Sequence, residues 1–299
     1  MKKNKYTPTA KGYFSGCGGM ELGLMFAGIE LVQSLDLDKE ATDCMKYNSN
    51  YFKHPILTTD IKDKTVLEQP KTDIIVGTYP CTKYSPIADI HGTRTGDDLF
   101  LHFFRHIAIE RPEMYIVENV PGMKKFKVVM EAMTKLPNYY VNVFYPIDAA
   151  NWLPQRRKRL ILFGTKKPYS ILAPKQSTKR VQLKDILENN PNVEMPDYVV
   201  SRIKGKYRDL PIMIDPEQSN AIAPTCVAHY AKDLSTRLVI DHKSKFGLRP
   251  FSIREYARLQ GFPDDFIFDN KRSSYRLIGN AVPVDMGKWV GQVAMSYFN

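Results

Sequence analysis

The chain has 299 residues, with 43 Lys and Arg against 32 Asp and Glu, a formal charge of +11 and four cysteines. That length supports a proper core and a division into a large and a small part, and Cys17, Cys44, Cys81 and Cys226 show no CxxC pair and no zinc-ligand spacing, which excludes a disulfide framework and favours a reducing compartment. No run approaches the roughly 18 apolar residues of a membrane span, so the expectation is a soluble, cytoplasmic protein whose basic balance suits a polyanion such as nucleic acid.

In chain order, "YFSGCGGMELGL" sets Gly16, Gly18 and Gly19 between a short strand and a helix, a turn whose N–H groups can approach a carboxylate or phosphate. The apolar runs "IELVQSLD", "HPILTTD", "TDIIVGT", "EMYIVEN", "YYVNVFYPID" and "RLILFG" follow, separated by amphipathic stretches such as "LFLHFFRHIAIER". Runs of this length and β-branched content predict strands of a mostly parallel sheet with crossover helices, an α/β fold. From Arg156 to Lys184 there are ten Lys or Arg and no acid, a density that favours an anionic contact over a solvated face. Residues 166 to about 248 are rich in Pro, Lys and Asn and predict a smaller, irregular domain with a few short strands. Helices return with "SIREYARLQGF" and "VDMGKWVGQVAMSYF".

Ligands of open parallel sheets bind beyond the carboxyl ends of the strands, so the residues that end each run carry the chemistry. Asp36 is placed to accept from ribose hydroxyls and Asp60, with the Ile61 backbone, to meet an adenine amino group, although each acid alone could equally cap a helix. Cys81 ends the fourth run and reads either as a small buried residue or as a nucleophile. Glu118 ends the fifth, where a carboxylate is costly to ionise and so suited to donate or share a proton. Together they suggest a nucleophile and an acid facing one pocket. His102 and His106 have an i,i+4 spacing that can bind metal but lack an acid partner, and no metal is expected.

The ordered strings "FSGCGG", "YPC", "ENV", "QRRKR", "RPFSIREYARLQGFPDDF" and "IGNAVPV" closely resemble the DNA cytosine-5 methyltransferases of bacteria and phages, over residues 12 to 290. The resemblance implies a Rossmann-like methyltransferase sheet with helices on both faces and a small target-recognition domain. It divides the chain into a catalytic and cofactor-binding domain, 1–165 completed by 272–299, and a target-recognition domain, 166–271. It implies S-adenosylmethionine as cofactor, double-stranded DNA as partner, and a monomer that flips a cytosine out of the duplex and methylates carbon 5. Cys81 matches the thiolate that adds to carbon 6, Glu118 the group at nitrogen 3, and Arg157 and Arg159 the arginines that hold the base oxygen and flanking phosphates and keep Cys81 ionised. The implied cofactor contacts are Phe14, Gly16, Gly18, Gly19, Asp36, Leu37, Asp60, Ile61, Pro80, Leu99, Asn280 and Val282; the implied DNA contacts are Ser85, Gln155 and Arg254. The stretch "KYSPIADIHGTRTGDD" matches the family's catalytic loop. The chain departs from the pattern at Gly12-Tyr13-Phe14, where Asp-Leu-Phe is usual, at Thr78 for glycine and at Thr82 for glutamine. Two rival readings are cytosine-5 methylation of RNA and a non-catalytic DNA-binding descendant.

Overall fold

The computed structural model describes residues 6–80, 99–175, 181–191, 193, 195–206, 208–209, 212–269 and 271–299. By its internal contacts the chain forms two compact units: Met1–Asp148 with Lys158–Pro174 and Met286–Asn299, and Ala149–Arg157 with Lys175–Asp285.

The first unit is built on seven strands, β1 (Thr9–Tyr13), β2 (Glu30–Asp36), β3 (Ile56–Thr58), β4 (Ile74–Gly77), β5 (Met114–Asn119), β6 (Tyr140–Asp148) and β7 (Lys158–Thr165), in the order β3-β2-β1-β4-β5-β7-β6. The pairs β3/β2, β2/β1, β1/β4 and β4/β5 are parallel, and β7 runs antiparallel to both β5 and β6. β4 and β5 are buried along their whole length, as parallel strands covered on both faces must be, and this accounts for their unbroken apolar runs. Helices α1 (Gly19–Phe26), α2 (Lys39–Tyr47), α3 (Leu99–Glu110) and α4 (Lys127–Thr134) connect or flank them. Asp38 starts α2 by accepting from Glu40 N at 3.0 Å. α3 turns Phe100, Phe103, His106 and Ile107 to the core, where Tyr13, Tyr79, Tyr115 and Val117 receive them. The sheet also buries charge: Lys11 of β1 pairs with Glu110 of α3 and donates to Pro70 O at 2.7 Å. His106 pairs with the Tyr13 hydroxyl at 3.0 Å, and burial holds its pKa down at about 4, so this histidine is a neutral packing partner. Among the described residues no group of three or more His, Cys, Asp or Glu could hold a metal, and no helix is long and apolar enough to cross a membrane.

The second unit holds a three-stranded sheet, β8 (Ile212–Ile214), β9 (Arg237–Ile240) and β10 (Leu248–Arg249), and helices α5 (Asp197–Lys204), α6 (Ile253–Leu259) and α7 (Ser273–Asn280). Its core is aromatic. Tyr230 stacks on Tyr256 at 4.8 Å and meets Tyr275 edge-on at 5.1 Å, while each phenol is tied to backbone: Tyr230 donates to Arg237 O, Tyr256 to Val227 O and Tyr275 to Phe251 O. Ser252 and Glu255 form a capping box at the start of α6, and Glu255 is also gripped by two Arg249 nitrogens at 2.8 Å each.

The unit boundaries differ from those read in the sequence. Residues 149–157 and 272–285 belong to the second unit, because Gln155 and Arg157 are bonded to its backbone and α7 packs within it. Residues 166–174 stay with the first, held by Lys166 N on Glu113 O at 3.1 Å and by Asn142 Nδ2 on Tyr169 O at 3.0 Å. The chain re-enters the first unit at Met286, within α8 (Val284–Phe298).

Candidate active site

The strand order reverses between β1 and β4, and the residues that leave the carboxyl ends of these two strands lie side by side. Thr78 N donates to Tyr13 O at 3.2 Å and Thr78 Oγ1 to Phe14 O at 2.7 Å. Phe14 has φ +62°, a left-handed conformation that costs a non-glycine residue about 1–2 kcal/mol and persists here because Thr78 grips its carbonyl. Its ring stands edge-on to Tyr79 at 6.2 Å. The hydroxyl of Thr78, where the family pattern has glycine, therefore braces the turn that follows.

That turn is shaped by Gly16 at φ +56° and Gly18 at φ +86°. A Cβ at residue 18 would meet the Phe52 ring at 2.5 Å, so both backbone and packing require glycine there. At Gly16, by contrast, nothing among the described residues lies within 4 Å of the missing side chain. Asp36 ties the turn to the end of β2: its Oδ2 accepts from Gly16 N at 2.7 Å and its Oδ1 from Asp38 N at 2.8 Å. Burial pushes the Asp36 carboxyl up, against these N–H bonds. Asp60 accepts from Lys62 N at 2.9 Å at the start of a 3₁₀ turn, Ile61–Asp63. Arg105 of α3 holds that turn from beneath, donating to Ile61 O at 3.0 Å and Lys64 O at 2.7 Å. Gly19 is buried at the first position of α1, Leu99 is half-buried against the core, and Leu37 and Pro80 are exposed.

Glu118 ends β5, buried, with its Oε1 2.8 Å from Arg159 Nε of β7. Next to it Asn119 donates from Nδ2 to Tyr79 O at 3.0 Å and accepts from Val120 N at 2.8 Å. Asn119 thus pins the backbone two residues before Cys81 to the strand that carries Glu118. Neither Asn119 nor Arg105 stands out in the sequence; the adjacency of "EN" was the available signal for Asn119, and none marked Arg105. Cys81 and Ser85 lie outside the described residues.

Three expected contacts are occupied differently. The motif "QRRKR" is divided: Gln155 and Arg157 belong to the second unit and Arg159 to the first. Arg157 is 3% exposed, and its guanidinium donates to Cys226 O at 2.6 Å, Gly279 O at 3.2 Å and Ala281 O at 2.9 Å rather than facing outward toward a base. Gln155 is fully buried, donating to Leu259 O and the Gln260 side chain and accepting from Cys226 N at 2.9 Å. Arg254 donates to Pro263 O at 3.1 Å and Phe266 O at 3.0 Å, closing the turn after α6. In each case a side chain with several donors is occupied with buried or turn carbonyls of its own unit, some of which it shares with another donor, as Pro263 O is shared with Phe266 N and Ala281 O with Gln260 Nε2. Asn280 is exposed at the end of α7 and Val282 is buried two residues on, both within the second unit.

A profile of C-5 cytosine-specific DNA methylases matches residues 12–295. The Type II methyltransferase M.Sau96I of Staphylococcus aureus is 27% identical over 96% of this chain and 75% of its own length, and M.HindV of Haemophilus influenzae is 27% identical over 95% of both. Among solved structures, the Entamoeba histolytica methyltransferase EhMeth is similar with a TM-score of 0.81 at 16% identity, covering 98% of this chain and 99% of that one, a likeness of fold. With the parallel sheet, the glycine turn and the Glu118–Arg159 pair in place, and with the family match running over nearly the whole length, this chain belongs to the C-5 cytosine-specific DNA methylases and is an S-adenosylmethionine-dependent DNA cytosine methyltransferase.

Proposed function

We propose that Cys81 and Glu118 carry this reaction, on a cytosine flipped out of duplex DNA. The observation that supports the assignment best is the Asn119–Tyr79 hydrogen bond, which joins the approach to Cys81 to the strand end where Glu118 meets Arg159. Carbon 5 of cytosine is a poor nucleophile. A Cys81 thiolate adding to carbon 6 forms a C–S bond and moves ring electron density onto carbon 5. Glu118 meets the charge that develops at nitrogen 3, by a proton or a strong hydrogen bond, and Arg159 holds its carboxyl in place. After transfer, removal of the carbon 5 proton and breakage of the carbon 6–sulfur bond return the thiolate and the aromatic ring. Arg157 and Gln155 act in this reading as positioning residues, holding the backbone of the second unit.

S-adenosylmethionine supplies an electrophilic methyl group on a sulfonium. The space that the described residues leave before Gly16, and the Asp36 carboxylate bonded to the turn, fit an adenosyl methionine better than a closed packing contact would. Phe14, Gly16–Gly19, Asp36 and the Asp60–Ile61 turn would hold it. The second unit, with residues 175–285, is proposed to read the target sequence, and its lysines and arginines to meet phosphates. We infer a restriction–modification setting from relatives that bear the name Type II methyltransferase. Bisulfite sequencing of DNA from cells expressing the protein tests the whole: protected cytosines should recur in one short motif and vanish with Cys81→Ala. Their absence from the unaltered protein would sink the reading.

A further inference from the structure

Beneath the glycine turn lies a carboxyl that the reaction just described does not use. Glu21, in the first turn of α1, is 1% exposed. Its Oε1 sits only 2.2 Å from where a Cβ of Gly12 would be, and Ser15 Oγ lies 2.9 Å from the same point. The side chain that β1 lacks at residue 12 is thus replaced by a carboxyl delivered from the helix. Among the described residues neither Glu21 Oε2 nor Ser15 Oγ makes a well-formed hydrogen bond. A buried acid with an oxygen to spare is expensive to keep, about 1–3 kcal/mol or more, unless something supplies the missing partner or charge.

We propose that Glu21 is a positioning residue of the cofactor turn: its carboxyl stands in for the side chain absent at Gly12, and its negative charge favours the cationic sulfonium donor over the neutral thioether product. The proposal rests on the reading that the Gly16–Gly19 turn holds the cofactor. S-adenosylmethionine carries one positive charge more than S-adenosylhomocysteine, because methyl transfer removes the sulfonium. A carboxylate in a low-dielectric site behind the turn feels that difference far more than one in water. Burial holds the Glu21 carboxyl up at about 7, so it titrates in the range where binding can report it. The ionisable groups facing it are Asp36 at the end of β2, which pushes it further up, and the Cys17 thiol in the turn, itself kept protonated by burial. On β1 the neighbouring Lys11 points to the opposite face, into Glu110, and on α8, which meets α1 at Gly287, Lys288 is exposed.

The test is calorimetric titration of the full chain with each of the two cofactor forms between about pH 5.5 and 8.5. If donor binding lowers the Glu21 pKa by one unit relative to product binding, the donor-to-product affinity ratio rises about tenfold across that range. Glu21→Gln should hold the ratio at its low-pH value throughout. The double substitution Gly12→Asp with Glu21→Ala, which returns the carboxyl from the strand, should restore a pH-dependent ratio. A ratio and pH profile unchanged in Glu21→Gln, with both ligands still bound, would overturn the proposal and leave the cofactor reading intact. Failure of the unaltered protein to bind either form would overturn the cofactor reading itself, and this proposal with it.

Discussion

At the scale of single residues, the site is a set of side chains made useful by what holds them. Glu118 depends on Arg159, and Asn119 holds the segment leading to Cys81. Glu118→Gln, which keeps the shape and removes the acid, should lower kcat by roughly 10²–10⁴-fold with cofactor affinity unchanged, measured by methyl incorporation and by calorimetry. Glu21 behaves differently because its pKa is raised. The folded protein holds that proton up to about pH 7, whereas the unfolded chain releases it near pH 4.5, so the stability it contributes is complete below pH 4.5 and is lost as pH rises through 7. Glu21→Gln should therefore be more stable than the unaltered protein at pH 8, by on the order of 2–3 kcal/mol, and nearly equal to it at pH 4.5, in thermal melts. Retention of a destabilising acid fits a site residue better than a core residue. None of this could be read from the string "GYFSGCGGME" alone: the glycines marked the turn, but only the fold brings Glu21 to Gly12 and Thr78 to Phe14.

At the scale of elements, the parallel sheet was legible and the motif "QRRKR" was legible only in part. Strands β4 and β5 announce themselves because a run buried on both faces reads as a near-continuous apolar string. The second unit does not, since its core is built from Tyr230, Tyr256 and Tyr275, whose phenols bond carbonyls 7, 29 and 24 residues away, and no helix or strand periodicity encodes such pairs. Arg157 shows the same limit. An arginine in a basic run reads as an anion contact, yet its three carbonyl partners come from segments 69 to 124 residues distant. Arg157→Met should destabilise the protein by on the order of 2–4 kcal/mol in chemical denaturation, since the Cys226 and Gly279 carbonyls lose the guanidinium while Ala281 O keeps only Gln260 Nε2. Arg157→Lys should rescue little of that, because an ammonium cannot reach three divergent acceptors as a planar guanidinium does. At a temperature where the variant stays folded, the salt dependence of its DNA binding should match that of the unaltered protein; a slope reduced by about one would mean that Arg157 meets a phosphate after all.

At the scale of the whole molecule, charge and chemistry divide the work of recognition. A formal charge of +11 supplies sequence-independent attraction to duplex DNA, so affinity for a non-cognate duplex should fall by on the order of 10³-fold between about 50 and 200 mM salt if six phosphates are neutralised. Methylation specificity, set by side chains at base edges, should survive that change in rank order while total affinity falls. The measurement that bears most directly on the account is mass spectrometry of the protein incubated with S-adenosylmethionine and a duplex carrying 5-fluorocytosine at the methylated position, where the ring has no carbon 5 proton to lose and the carbon–sulfur adduct persists. The account predicts a stable protein–DNA adduct that maps to the peptide containing Cys81 and is absent from Cys81→Ala. An adduct on another residue, or cytosine methylation that continues in Cys81→Ala, would contradict it.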